Sequence, residues 1–156
     1  MGVIECEWFD TIIGFDELKE LTFLRITDND RFDFSTCGDA TSLREVSFLG
    51  CKGFDDLLDI KGLKKLEILD ISETTVRDLQ SLIEFPLLQQ LSIIWCHWIT
   101  DLSPIYKHPS LSSLGVIPEH EDDTFQKEVE KLRIAKPDLT LGDGGVGFSM
   151  EYWHLL

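Results

Sequence analysis

The stretch Leu88–Leu102 reads LQQLSIIWCHWITDL and sets a cysteine beside a histidine, between two tryptophans. A thiol activated by a neighbouring imidazole is a nucleophile, the chemistry of cysteine enzymes. That chemistry needs a thiolate, which forms in exposed, electropositive surroundings. This chain supplies the opposite, with 29 acidic against 14 basic residues and a net charge of −15. Two other stretches carry residue types that bind ions. Glu119-His120-Glu121-Asp122-Asp123 offers metal-ligating groups, but consecutively, with no glycine turn to arrange them as a calcium loop does. It reads as a solvated charge run. Gly142-Asp143-Gly144-Gly145-Val146-Gly147 is rich in glycine but has no lysine and no following helix signal, so it reads as a turn rather than a phosphate loop. No Ser/His/Asp set has a distinctive context, and His97, His108, His120 and His154 are expected at the surface. No catalytic residue, metal, cofactor or small-molecule substrate is expected.

The elements that would position these residues come from an internal repeat. LTFLRITDN from Leu21, LREVSFLGC from Leu43, LEILDISET from Leu66, LQQLSIIWC from Leu88 and LSSLGVIPE from Leu111 all fit L-x-x-L-x-L-x-x-N. Apolar residues stand at the first, fourth and sixth places, and the starts lie 22, 23, 22 and 23 residues apart. A further step of 23 reaches Ile134, where IAKPDLTLG keeps Ile134 and Leu139 at the first and sixth places but has Pro137 at the fourth. Stepping back 22 from Ile26 reaches Ile4, which predicts an N-terminal capping strand. Between strands, Val76-Arg77-Asp78-Leu79 and Ile99-Thr100-Asp101-Leu102 match one another, and Phe54-Asp55-Asp56-Leu57 is a looser third copy. Segment 30–42 lacks that pattern and is expected to be an irregular loop.

This pattern resembles the leucine-rich repeat family over roughly residues 18–141, in particular its internalin-like and cysteine-containing repeats. The resemblance implies an α/β fold: a short solenoid of five to six repeats of 22–23 residues with a parallel concave sheet, capped at both ends. On this reading residues 1–156 form one domain, with an N-terminal cap at 1–17, repeats at 18–141 and a C-terminal cap at 142–156. Val3, Ile4, Trp8, Phe9, Ile12 and Ile13 would cover one end. A helix carrying Phe125, Val129, Leu132 and Ile134 and a closing segment with Phe148, Met150, Tyr152, Trp153 and Leu155 would cover the other. In this family the ninth place is filled by Asn, Cys or Thr, whose side chains bond to backbone groups of the turn between stacked coils. Here it holds Asn29, Cys51, Thr74 and Cys96. The opening cysteine is thereby expected to be a buried ladder residue, with His97 turned outward.

Family function is protein binding, usually through the concave face. The outward places there carry Phe23, Arg25, Glu45, Ile68, Asp70, Glu73, Ile94 and Trp95. Apolar groups thus sit among acids, the make-up of a binding hot spot. A slip that turns the seventh place inward is the packing alternative. Trp98, just past the ladder, is expected to cover the core edge. The charge disfavours nucleic acid and anionic membrane and favours a cationic protein partner. No apolar run reaches the ~18 residues of a membrane span. The acidic N-terminus is unlike a signal peptide, and the four scattered cysteines suit reduced thiols, so the expected location is cytoplasmic. The functional expectation is a binding protein that holds or inhibits one partner, such as an immunity protein neutralising a cationic toxin, for example a nuclease. The alternative is a regulatory adaptor for a housekeeping or signalling enzyme.

Overall fold

Strands form where the repeat places two inward apolar residues one residue apart, because alternation along a strand sends both into the core. The computed structural model describes residues 2–6, 10–12, 14–116 and 123–142. It contains β1 (Gly2–Cys6), β2 (Leu21–Ile26), β3 (Glu45–Ser47), β4 (Ile68–Asp70), β5 (Gln90–Ser92), β6 (Ser113–Gly115) and β7 (Thr140–Gly142). All pair in parallel, in chain order, in one sheet. Leu24, Val46, Leu69, Leu91 and Leu114 are Cα partners across successive strands and are buried. The first-place leucines and the sixth-place Ile26, Phe48, Ile71, Ile93 and Val116 complete the core. Burying one such side chain stabilises by ~1.5–3 kcal/mol. A single coil cannot bury its own face, so this stabilisation exists only in the stack.

The return path of each coil is short and convex. Asp33, Asp56, Asp78 and Asp101 each accept, through Oδ1, the backbone N–H two residues on, at 3.2, 2.8, 3.0 and 2.8 Å. These bonds fix the turn that leads into a 3-10 segment (Phe34–Asp39, Leu57–Ile60, Gln80–Glu84) or into α1 (Ser103–Lys107). Segment 30–42 is therefore not an irregular loop. Its 3-10 segment packs on the next one, and Phe34 stacks edge-on against Phe48 and Phe54 at 4.9 and 5.1 Å.

The N-terminal strand is present, but Ile4 pairs with Leu24 rather than Ile26. The last repeat also departs from expectation. Ile134 is not at a first place: it lies on α2 (Asp123–Ala135) and is 75% exposed. Leu139 takes the first place instead, its N–H bonded to Lys136 O as that of Leu88 is to Phe85 O. Leu141 then pairs with Leu114, so the sixth coil closes with one residue fewer than the others. On α2, Leu132 is buried and Phe125 and Val129 pack partly against the core. Ile12 packs against the core from the N-terminal side, while Trp8, Phe9, Ile13 and residues 143–156 lie outside the described residues.

Candidate partner-binding face

The ninth-place side chains satisfy the buried turn between strand and convex segment. Asn29 Oδ1 accepts the N–H groups of Arg31 and Phe32, both at 3.1 Å. Cys51 Sγ donates to Ile26 O at 3.3 Å, and Cys96 Sγ donates to Ile71 O at 3.0 Å, each reaching the preceding coil. Thr74 Oγ1 donates to Ile71 O at 2.6 Å. Buried carbonyls need such partners. Burial pushes both the Cys51 and the Cys96 thiols up to about 11, with Asp70 adding to the rise in each. Neither is a nucleophile at neutral pH. His97, next to Cys96, is exposed.

His108, in contrast, is not a surface residue. It is 3% exposed and occupies the core place held by Ala40, Leu63 and Phe85 in the preceding coils. Its Nε2–H faces Leu82 O and Phe85 O, both at 3.2 Å, and its Nδ1 accepts the Leu111 N–H at 3.2 Å. Burial and, less strongly, the Lys136 ammonium hold its pKa below the ordinary value. Lys136 Nζ donates to His108 O at 2.7 Å.

The outward places form columns on the concave face. Phe23, Glu45, Ile68, Gln90, Ser113 and Thr140 are successive Cα partners, and so are Arg25, Ser47, Asp70, Ser92, Gly115 and Gly142. Phe23, Arg25, Glu45, Ile68, Asp70 and Ile94 are half-buried, and Glu73 is exposed. The pairings run in step from β2 to β6, so no slip turns the seventh place inward among these strands. Burial first, and then Glu67, raise the Glu45 carboxyl above the ordinary glutamate value. Asp70 is held firmly: its Oδ2 accepts from Ser47 Oγ at 3.1 Å and its Oδ1 from the Ser72 N–H at 3.0 Å. Ser72 Oγ and Ser92 Oγ share a hydrogen bond at 2.8 Å.

The eighth place has a property that the repeat pattern alone did not reveal. Asp28, Gly50, Glu73 and Trp95 all have left-handed backbone, at φ 51°, 74°, 58° and 61°. Aspartate and glycine adopt this region readily; for a bulky side chain it is an outlier. Trp95 is nonetheless there, 39% exposed, beside Lys52, Glu73 and His97 at a shallow open pocket. Trp98 is 55% exposed and does not seal the core edge; the Arg77 guanidinium lies 5.3 Å from its ring centre. Ile117, Pro118 and Glu119 lie outside the described residues.

Among the described residues no group of three or more His, Cys, Asp or Glu side chains converges as a metal site would. No described helix is long and apolar enough to cross a membrane. Neither a protein-family model nor a curated protein matches the chain. Among solved structures, an internalin (InlF) from Listeria monocytogenes str. 4b F2365 is similar with a TM-score of 0.58 at 22% identity. The match covers 65% of this chain and 30% of the internalin, so the chain spans less than a third of that protein. Internalin C2 from the same strain matches with a TM-score of 0.45 and 18% identity, over 70% of this chain and 69% of that one. The stacked parallel strands, the ninth-place ladder and the likeness to InlF together identify the fold as a leucine-rich repeat solenoid of the internalin type.

Proposed function

We propose that this chain is a non-enzymatic protein-binding module whose concave face holds or inhibits one cationic protein. The observation that carries this reading is Trp95. A tryptophan kept in left-handed backbone costs stability and gains nothing for the core, because its side chain stands partly in solvent. Such strain is retained where a side chain has work at a surface, and tryptophan is a common hot-spot residue. Ile68 and Ile94 widen the apolar centre, and Glu45, Asp70 and Glu73 surround it with negative charge. A net charge of −15 steers a cationic protein in and repels nucleic acid and anionic membrane. The buried ladder thiols support the non-enzymatic reading. The specific form we favour is a cytoplasmic immunity protein that neutralises a cationic bacterial toxin, such as a nuclease.

The test is affinity capture with mass spectrometry, followed by binding kinetics of the captured protein. The immunity reading requires one cationic partner, bound very tightly and weakened by Trp95→Ala. A housekeeping or signalling enzyme bound moderately would favour an adaptor instead. Binding rates untouched by Trp95→Ala and Glu73→Lys would remove the concave face as the interface.

A further inference from the structure

The polar groups of the concave face are satisfied on one side and orphaned on the other. Over β3 to β5, the Ser47 hydroxyl, the Asp70 carboxylate and the Ser72 N–H are mutually bonded, and the Ser72 and Ser92 hydroxyls bond each other. One strand further on, Gln90 Oε1 and Ser113 Oγ are buried with no hydrogen-bond partner. The two residues are Cα partners on β5 and β6, so the orphan atoms belong to neighbouring strands. Ser113 is 8% exposed, and its neighbour Leu114 points into the core, so the hydroxyl points to the concave side. Buried polar atoms without partners cost stability and are rare in native proteins. The floor beside them is bare: a Cβ on Gly115 would come within 2.9 Å of Ser92 Oγ.

Resting on the concave-face reading above, we infer that this trough over β5 and β6 receives a single lysine side chain of the partner. Gln90 Oε1 can only accept a hydrogen bond, and Ser113 Oγ accepts as well as donates, so a ligand that satisfies both is a donor. Asp70, beside Ser92 on the next strand, makes that donor a cation. The choice between lysine and arginine follows from Asp70 itself. A guanidinium gains most from a carboxylate free to accept two parallel bonds. Both Asp70 oxygens are already engaged, by Ser47 and by the Ser72 N–H. A compact ammonium needs no such fork: it donates to the two orphan atoms while its aliphatic stem lies over Gly115. Gln90 is only half-buried, and turning its terminal amide opens the way to the Ser113 hydroxyl.

The trough is tested on the full chain by nuclear magnetic resonance titration, with the blocked amino acids N-acetyl-lysine, N-acetyl-arginine and N-acetyl-norleucine methylamides as probes. The lysine probe should saturate shifts at the Gln90 side-chain amide and the Gly115 N–H, at least about tenfold more tightly than norleucine. Ser113→Ala should weaken lysine binding about tenfold and raise the melting temperature of the free protein, since it removes an orphaned hydroxyl without leaving a large cavity. A lowered melting temperature in Ser113→Ala would mean that the hydroxyl has a structural partner, and the trough would fall. Equal response to norleucine would overturn the cation, and equal response to arginine would overturn the ammonium. Shifts confined to Trp95 and Ile68 would overturn the trough but leave the concave-face reading standing. Absence of any shift would also overturn it, while the face itself is judged by the kinetics of the Trp95 and Glu73 variants.

Discussion

The two halves of the concave face rest on the same core but carry different surfaces. Over β2 to β4 the outward places hold Phe23, Arg25, Glu45, Ile68 and Asp70; over β5 to β7 they hold Gln90, Ser92, Ser113, Gly115, Thr140 and Gly142. The first half is charged and bulky, the second small and uncharged. Beneath both, the inward leucines are buried without exception. Stability and recognition are thus separated by the alternation of the strand. The apolar ladder repeats because every coil must bury the same face, while the outward places are free to differ.

The largest expected effect tests the shared core. Leu69→Ala under the first half and Leu91→Ala under the second should each cost ~2–5 kcal/mol in urea unfolding, as truncations in close-packed surroundings. The two values should be similar. A near-neutral result at either would break the claim that both halves rest on one ladder.

Trp95→Ala should have the next largest effect, this time on binding. If Trp95 is the anchor, its loss should weaken the partner complex by ~2 kcal/mol or more, mainly by faster dissociation. Trp95→Gly should lose binding equally and yet exceed Trp95→Ala in stability by ~1 kcal/mol, because glycine accepts the left-handed backbone that alanine resists. Thermal unfolding of the two variants decides this.

Much of this architecture was legible because place and residue type agreed over five copies. The ladder role of Cys96 followed from register alone, and its bond to Ile71 O bears that out. The failures have local causes. In segment 30–42 Phe32 stands one residue before the capping Asp33, whereas Phe54, Val76 and Ile99 stand two before theirs, and Cys37 replaces an isoleucine or leucine. The motif was present but displaced. Its signal was the Asp33–Asp56–Asp78–Asp101 spacing of 23, 22 and 23. The last repeat was misread because counting in steps of 23 cannot detect a coil shortened between its first and fourth places. His108 was misread because histidine is more often a surface residue, although the spacing from Ala40 through Leu63 and Phe85 leads to it. The left-handed eighth place had only Gly50 and Asp28 as hints, and Trp95 concealed it.

His108 also distinguishes the halves by pH. The coils leading to β3, β4 and β5 bury Ala40, Leu63 and Phe85 at this place; the coil leading to β6 buries an imidazole. Its folded pKa lies below the ordinary 6.5, so the unfolded chain binds more protons wherever the two differ. The contribution of His108 is therefore fully present above about pH 6.5 and is lost as pH falls below it. Protonation would also set an Nδ1–H against the Leu111 N–H and a cation near Lys136. Hydrogen exchange at acid pH should accelerate at β6 before β3, and His108→Leu should remove that difference. Uniform acceleration in both halves would count against it.

The smallest expected effect concerns charge. Asp70 and Glu73 are near neighbours on the first half, but only one is a clean electrostatic probe. Reversing Asp70 would also strip the acceptor from Ser47 and from the Ser72 N–H, so a loss of stability would mix with any loss of binding. Glu73 is exposed, and no described hydrogen bond or ion pair uses its carboxylate. Glu73→Lys keeps the left-handed backbone problem unchanged and alters the net charge alone. It should slow association with a cationic partner a few-fold, about one kcal/mol or less, and flatten the dependence of that rate on salt. Dissociation should hardly change, because a rim charge acts on encounter more than on the docked state. If Glu73→Lys instead left association untouched while Trp95→Ala still accelerated dissociation, the concave face would bind by apolar contact alone and the partner need not be cationic.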